Sequence, residues 1–119
     1  MRRILLLSII LLLGCSSDGQ QKGQWHNANE PEQLSNAQLL SLEAQASKND
    51  AKAAYRLYIY YLSSQTDGRK AIYWLKIAAT CGYPIAEYNL GVLLKQSPLI
   101  EDQRQGTMWL EKAAKHGVK

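Results

Sequence analysis

The sequence predicts an all-α fold: a right-handed α-solenoid of about two and a half helical hairpin repeats, built from five helices. Three observations carry this. The phrase WLKIAATCG at residues 74–82 returns as WLEKAAKHG at 109–117, 35 positions on, with Trp, Leu, the Ala-Ala pair and the closing Gly in register. A second phrase, A-x-Y-x-L at Ala53, Tyr55 and Leu57, returns as Ala86, Tyr88 and Leu90 after 33 positions. From residue 35 onward the apolar residues recur with helical spacing, and no alternating run suits a strand. Periods of roughly 20–50 residues mark stacked units, because one helical hairpin cannot cover its own apolar face and its neighbour must.

Each element has a local reason. Ser35 to Gln38 reads SNAQ, the Ser-x-x-Gln spacing of a capping box, and Leu39, Leu42 and Ala46 follow on one helical face. Asn49 and Asp50 break that helix and cap the next, AKAAYRLYIYYL. Ser63 to Gly68 forms a turn, with Asp67 as the cap for KAIYWLKIAAT. Gly82 ends that helix because glycine accepts the left-handed conformation, and Pro84 suits a first turn that needs no N–H. IAEYNLGVLLKQ is then helical, SPLIED is expected to be a loop, and QRQGTMWLEKAAKH forms the last helix, closed by Gly117. An A-type helix carrying AxYxL thus alternates with a B-type helix carrying WLxxAAxxG. Leu42 and Ala46 stand where Leu75 and Ala79 stand, so the first helix reads as a fainter B-type copy. Trp and Leu give each B helix its apolar bulk, while the Ala pair lets the next A helix approach closely. Fully burying a leucine such as Leu75 or Leu110 is worth ~1.5–3 kcal/mol.

The first 34 residues divide differently. MRR is a short basic start, and ILLLSIILLL at 4–13 is apolar but too short for a membrane helix, which needs about 20 such residues. Basic start, short apolar stretch and small residue have the shape of a secretory signal. The ending, Leu12-Leu13-Gly14-Cys15, resembles the lipobox of bacterial lipoproteins, with Leu13 in place of the usual small residue. The resemblance implies a signal peptide at 1–14 and Cys15 as the first mature residue, carrying a thioether-linked diacylglycerol and an acylated amino group. Two or more chains anchor firmly, whereas one binds marginally. By the sorting rules of such proteins, Ser16 after the cysteine implies the periplasmic face of the outer membrane. An ordinary cleaved signal with an incidental cysteine is the other reading.

Residues 15–34 are the expected lipidated cysteine and polar tether, with two glycines and a proline between 16 and 33 and no regular period. Trp25 and His26 stand out within it, as a docking peptide or as loop residues folding back on the domain. The helical domain is placed at 35–119. An oxidising compartment normally staples small domains with disulfides, yet past Cys15 only Cys81 remains, so the core holds by packing alone. The formal charge is +4; discounting Arg2 and Arg3 leaves 12 basic against 10 acidic residues, and these are scattered. That argues against a nucleic-acid partner.

The repeated phrases, A-x-x-x-L-G-x-x-Y followed by A-x-x-W-L-x-x-A-A-x-x-G, resemble the SEL-one-like repeat, a relative of the tetratricopeptide repeat. The resemblance covers about residues 40–117. It rests on Ala86, Leu90 and Gly91, on Ala71, Trp74, Leu75, Ala78, Ala79 and Gly82, and on Trp109, Leu110, Ala113, Ala114 and Gly117. Tyr58 departs from it where the next repeat has Gly91, Leu94 replaces the tyrosine supplied by Tyr61, and Gly106 stands where Ala71 stands. A more open first hairpin and a shallower groove are expected from these departures.

The resemblance implies a concave face, lined by A helices, that binds a protein or peptide. Lys52, Arg56, Tyr60, Asn89 and Leu93 map there without serving the packing motif. Arg56 and Asn89 occupy one repeat position and are expected to face each other across the groove, offering several donors to a carboxylate or carbonyl. A solvated helix face is the competing reading. Tyr55 and Tyr61 fall on packing positions, which leaves Tyr60 as the candidate contact.

No catalytic or metal constellation is legible. The two histidines, His26 and His116, lie far apart in sequence, and Cys81 and His116 share one repeat position on successive hairpins, an expected ~10 Å or more apart, too far to act as a nucleophile and base. The expectation is a non-enzyme with no cofactor, held to the envelope by lipid. It binds a partner protein, as an immunity protein neutralising a secreted effector or as a scaffold or assembly factor of the cell envelope. Fewer than three full repeats also predict a marginal domain that gains stability from a partner or from self-association.

Overall fold

Helix ends are fixed one by one across residues 33–119, the part described by the computed structural model. The expected signal peptide, Cys15, Trp25 and His26 lie outside the described residues. The helices are α1 (Asn36–Ala46), α2 (Ala51–Ser64), α3 (Gly68–Thr80), α4 (Pro84–Lys95) and α5 (Ile100–Lys115). They account for all the regular structure among the described residues. Ser35 opens α1 with a full capping box: its hydroxyl accepts from the Gln38 N–H, and the Gln38 side chain accepts from the Ser35 N–H at 2.9 Å. Asp50 caps α2 by accepting from the Ala53 N–H at 3.0 Å, and Asp67 caps α3 by accepting from the Arg69 and Lys70 N–H groups. Each bond satisfies a donor that a helix start leaves open.

The B helices end alike. Gly82 and Gly117 adopt left-handed backbones with φ of 82° and 89°. Beyond α3, Tyr83 N–H donates to the Ala78 carbonyl and Gly82 N–H to that of Ala79; beyond α5, Val118 and Gly117 repeat this on Ala113 and Ala114. This is the Schellman arrangement. Asn49, with φ of 64°, stands in the same place after α1, where Asp50 donates to Gln45 and Asn49 to Ala46. Asparagine is the side chain that best tolerates this conformation after glycine. α1 is therefore a B helix in its termination as well as in its buried Leu42 and Ala46.

One sequence expectation fails locally. SPLIED is not a loop as a whole, because α5 begins at Ile100 and takes in Glu101 and Asp102. Leu99 is its N-cap and makes no side-chain capping bond, so the sequence offers no polar mark for this start. Acidic residues in a first turn favour the positive end of a helix, which fits Glu101 and Asp102 there.

Consecutive helices reverse direction and stack as a solenoid. Leu57, Leu75, Ala54, Ala78, Ala79 and Ala86 lose essentially all contact with solvent, and Trp74 and Leu90 pack with them. In the second hairpin two glycines bring α4 and α5 together. A Cβ on Gly106 would stand 2.8 Å from the Gly91 carbonyl oxygen, and one on Gly91 would stand 2.8 Å from Leu110 Cγ. The first hairpin carries Tyr58 and Ala71 at the equivalent places, so side chains separate its helices there. The last seam is open: Ala113 is buried, but Ala114 is exposed, unlike its counterpart Ala79.

Candidate partner-binding surface

The A helices α2 and α4 lie side by side and are tied by tyrosines. Tyr55 of α2 packs its ring 5.5 Å from Tyr58 and 4.9 Å from Tyr83, which is the N-cap of α4. Asn89 Nδ2 donates to the Tyr55 hydroxyl at 3.2 Å. Burial pushes the Tyr55 hydroxyl up to about 12, with the neighbouring Tyr58 adding to the rise and the Asn89 bond opposing it. Burial also raises Tyr58 and Tyr83. A strip of neutral, partly dry phenols thus runs from α2 to the start of α4.

The candidate residues lie around this strip. Lys52, Arg56 and Tyr60 recur at i, i+4 and i+8 on α2, one stripe of a helix, and Asn89 and Leu93 repeat that spacing on α4. Lys52 and Arg56 are exposed, and Leu93 leaves 38% of its surface open. Tyr60 is half-buried with its ring edge-on to Tyr61 at 5.2 Å. Asn89 is half-buried, and the expected display of its amide across the groove is modified: one amide hydrogen is already engaged by Tyr55 within the wall. Tyr61 is a packing residue, as expected. Its hydroxyl donates to Glu43 Oε1 at 2.8 Å, and burial followed by that bond pushes it up to about 12.

A second polar cluster was not expected. Glu87, in the first turn of α4, is the only polar or charged side chain buried among the described residues, with no exposed surface. His116 Nδ1 is hydrogen-bonded to its Oε2 at 2.7 Å, and Lys112 Nζ lies 3.3 Å from Oε1. The lysine is near enough for charge pairing but off the hydrogen-bond direction, so Oε1 has no hydrogen-bond partner. A buried carboxylate needs such compensation. The positive end of α4 and the negative end of α5, where Lys112 and His116 lie, both favour this arrangement. His116 therefore does have a partner, which an acidic residue in a helix's first turn had disguised as a solvent-facing group. The cluster clamps the base of the second hairpin. No group of three or more His, Cys, Asp or Glu side chains is assembled for a metal among the described residues.

The two tied hairpins also match a known pattern as wholes. The family model described as "Sel1 repeat" matches twice, over residues 51–83 and 84–118. The chain belongs to the Sel1 repeat family. Each match takes one A helix, one B helix and the glycine turn that ends it. The family boundary differs from the resemblance read in the sequence, for it starts at 51 and leaves α1 outside both repeats. Among curated proteins the chain is similar to one of Escherichia coli (strain K12) named "Uncharacterized protein YibG", 28% identical over 88 residues. That match covers 71% of this chain, which spans 58% of the other protein's length. No solved structure matches the chain.

Sel1 repeats mediate protein–protein binding, and the architecture here suits that. The A helices stack against the B helices; of the candidate side chains, Lys52, Arg56 and Leu93 are exposed, while Tyr60 packs against the core and Asn89 bonds to Tyr55.

Proposed function

We propose that this Sel1-repeat protein is a lipid-anchored binding module that recognises one partner protein along the α2–α4 face, at the periplasmic side of the outer membrane. The observation that carries the binding role is the pair of side-chain stripes beside the tyrosine strip. Lys52 and Arg56 project from the first repeat, with Tyr60, Asn89 and Leu93 completing a surface that is part cationic, part aromatic and part apolar. Such a mixture suits hot-spot binding, in which aromatic and Arg anchors dominate. The cations favour a partner presenting carboxylates or free carbonyls. The lipobox-like Leu12-Leu13-Gly14-Cys15 supports the anchor and Ser16 supports the outer-membrane destination. A single small domain without chemistry of its own is suited to occluding a partner's surface, so an immunity role against a secreted effector is the narrower form of this proposal.

Site-specific photo-crosslinking in the native envelope tests it. A crosslinker at Arg56 or Tyr60 is expected to capture one protein in stoichiometric yield, whereas one at the exposed Lys76 of α3 captures none. Capture of that protein from Lys76 with no adduct from Arg56 or Tyr60 refutes the groove. For the narrower role, the captured protein is a secreted effector, and deleting this chain makes cells sensitive to it. A set of envelope-assembly proteins instead supports a scaffold.

A further inference from the structure

We propose that α5 pairs antiparallel with α5 of a second copy of this chain, about a two-fold axis near residue 107. The proposal goes beyond the partner-binding reading given above and does not depend on it.

α5 buries Gly106 and Ala113 in the fold. On another side it carries a shallow trough lined by Glu101, Arg104, Gln105, Met108, Trp109 and Lys112, to which no other helix contributes. Glu101, Gln105, Met108 and Lys112 follow one another at spacings of four, three and four, the stripe along which one helix meets another. Met108, in the middle of it, is 61% exposed. Trp109 borders the stripe half-buried, with Lys112 Nζ 4.9 Å from its ring centre.

Self-complementarity selects the occupant. A two-fold axis requires a patch that fits itself, so that each residue meets the one that meets it in return. With the helices antiparallel, Glu101 faces Lys112 of the second copy and Gln105 faces its Met108, and the axis repeats both contacts. Arg104 and Glu111, both exposed and two turns apart on one flank of the stripe, face each other across the axis in the same way. Every charged contact then joins opposite signs. In a parallel pair Glu101 would meet Glu101 and Lys112 would meet Lys112, and like charges repel. The needs of a lone helix do not account for the pattern. Its dipole favours Glu101 at the start and Lys112 in the last turn. Arg104 and Glu111 run against it, the base nearer the positive end and the acid nearer the negative one. Met108 between them serves neither a cap nor the core.

The contacts within one chain leave these groups able to pair again. Glu101 and Arg104 bond each other at 2.8 Å, but both are exposed, and such pairs are weak in water. Lys112 keeps 44% of its side chain open beside Glu87, and an ammonium has three donors, so it can serve both carboxylates. A seam from 101 to 112 is about 17 Å long, short for a standard interface. The pair therefore forms at high local concentration and separates on dilution. None of these residues belongs to the α2–α4 face, so a pair presents that face twice.

The test is a charge swap across the axis, read by sedimentation equilibrium of the full chain, made with its own leader and purified in excess detergent. The parent is expected to dimerise as its concentration rises towards about 1 mM. Arg104→Glu sets two acids against each other twice, and Glu111→Arg does the same with two arginines. Each alone is expected to weaken pairing roughly tenfold, with the melting temperature of the diluted chain unchanged. An equal mixture of the two variants restores opposite charges at both contacts and is expected to dimerise like the parent. Because only folded chains can restore pairing, the mixture also controls for misfolding. A parent that stays monomeric overturns the proposal. Single variants that pair as well as the parent move any dimer to another surface and overturn it too. A mixture that stays monomeric overturns the antiparallel arrangement.

Discussion

Gly106→Ala isolates the energetic weight of the close approach between α4 and α5. In an open helix, replacing glycine with alanine is favourable by about 0.5–1 kcal/mol, since alanine loses less backbone freedom. Here the new carbon would stand 2.8 Å from the Gly91 carbonyl oxygen and 2.9 Å from the Lys95 nitrogen. Both are backbone atoms and cannot rotate aside, so the two helices must separate. Overpacking of this kind costs typically ~1–3 kcal/mol, and the upper part of that range applies when no side chain can yield. Subtracting the propensity gain leaves a net loss of roughly 2 kcal/mol. For a domain of this size that lowers the melting temperature by about 10 °C. Gly68→Ala is the control, because its Cβ would meet nothing within 4 Å; its melting temperature should hold or rise slightly. The assay is thermal unfolding followed by circular dichroism on the purified chains. A Gly106→Ala protein melting at or above the parent refutes the reasoning.

Two further predictions concern the polar clusters. His116→Ala should cost about 1–2 kcal/mol, less than the loss for a wholly uncompensated buried charge, because Lys112 remains beside Glu87. In a Glu87→Gln background the same change should cost less; strictly additive urea midpoints would show that the two groups do not interact. At alkaline pH the tyrosines decide. Tyr55 and Tyr61 are held up to about 12 in the fold against an ordinary value near 10. The unfolded chain releases those protons first, so stability should be full below pH ~10 and fall as pH rises towards ~12. Tyrosinate absorbance against pH, native and in denaturant, checks this; coincident curves would contradict it.

The fold was legible largely because its punctuation is chemical. Ser35, Asp50, Asp67, Gly82, Pro84 and Gly117 each mark an end through a bond or a backbone conformation that their side chains dictate. Where punctuation is missing the reading slipped. Leu99 starts α5 without a capping atom, so the start was placed three residues late. The departures in the repeat pattern were visible, but the reason for one was not: Gly106 and Gly91 are far apart in sequence, and only packing reveals that they vacate the same space. The groove residues were legible as leftovers from the repeat. What each one touches was not, because the Asn89–Tyr55 bond joins residues 34 apart. Glu87 was missed for a related reason. Its place in a first turn is typical of a solvated acid, and no sequence pattern announces that His116 and Lys112 close over it.

Ala114 has a consequence for how such an array can change. Its small side chain leaves a vacant landing strip whose counterpart at Ala79 already receives a neighbouring helix. A tandem copy of 84–118 spliced in after Val118 would find that strip ready and would leave an identical one behind it. Length in this architecture is then a matter of duplication rather than redesign, and each added unit lengthens the wall available to a partner while leaving the existing contacts untouched.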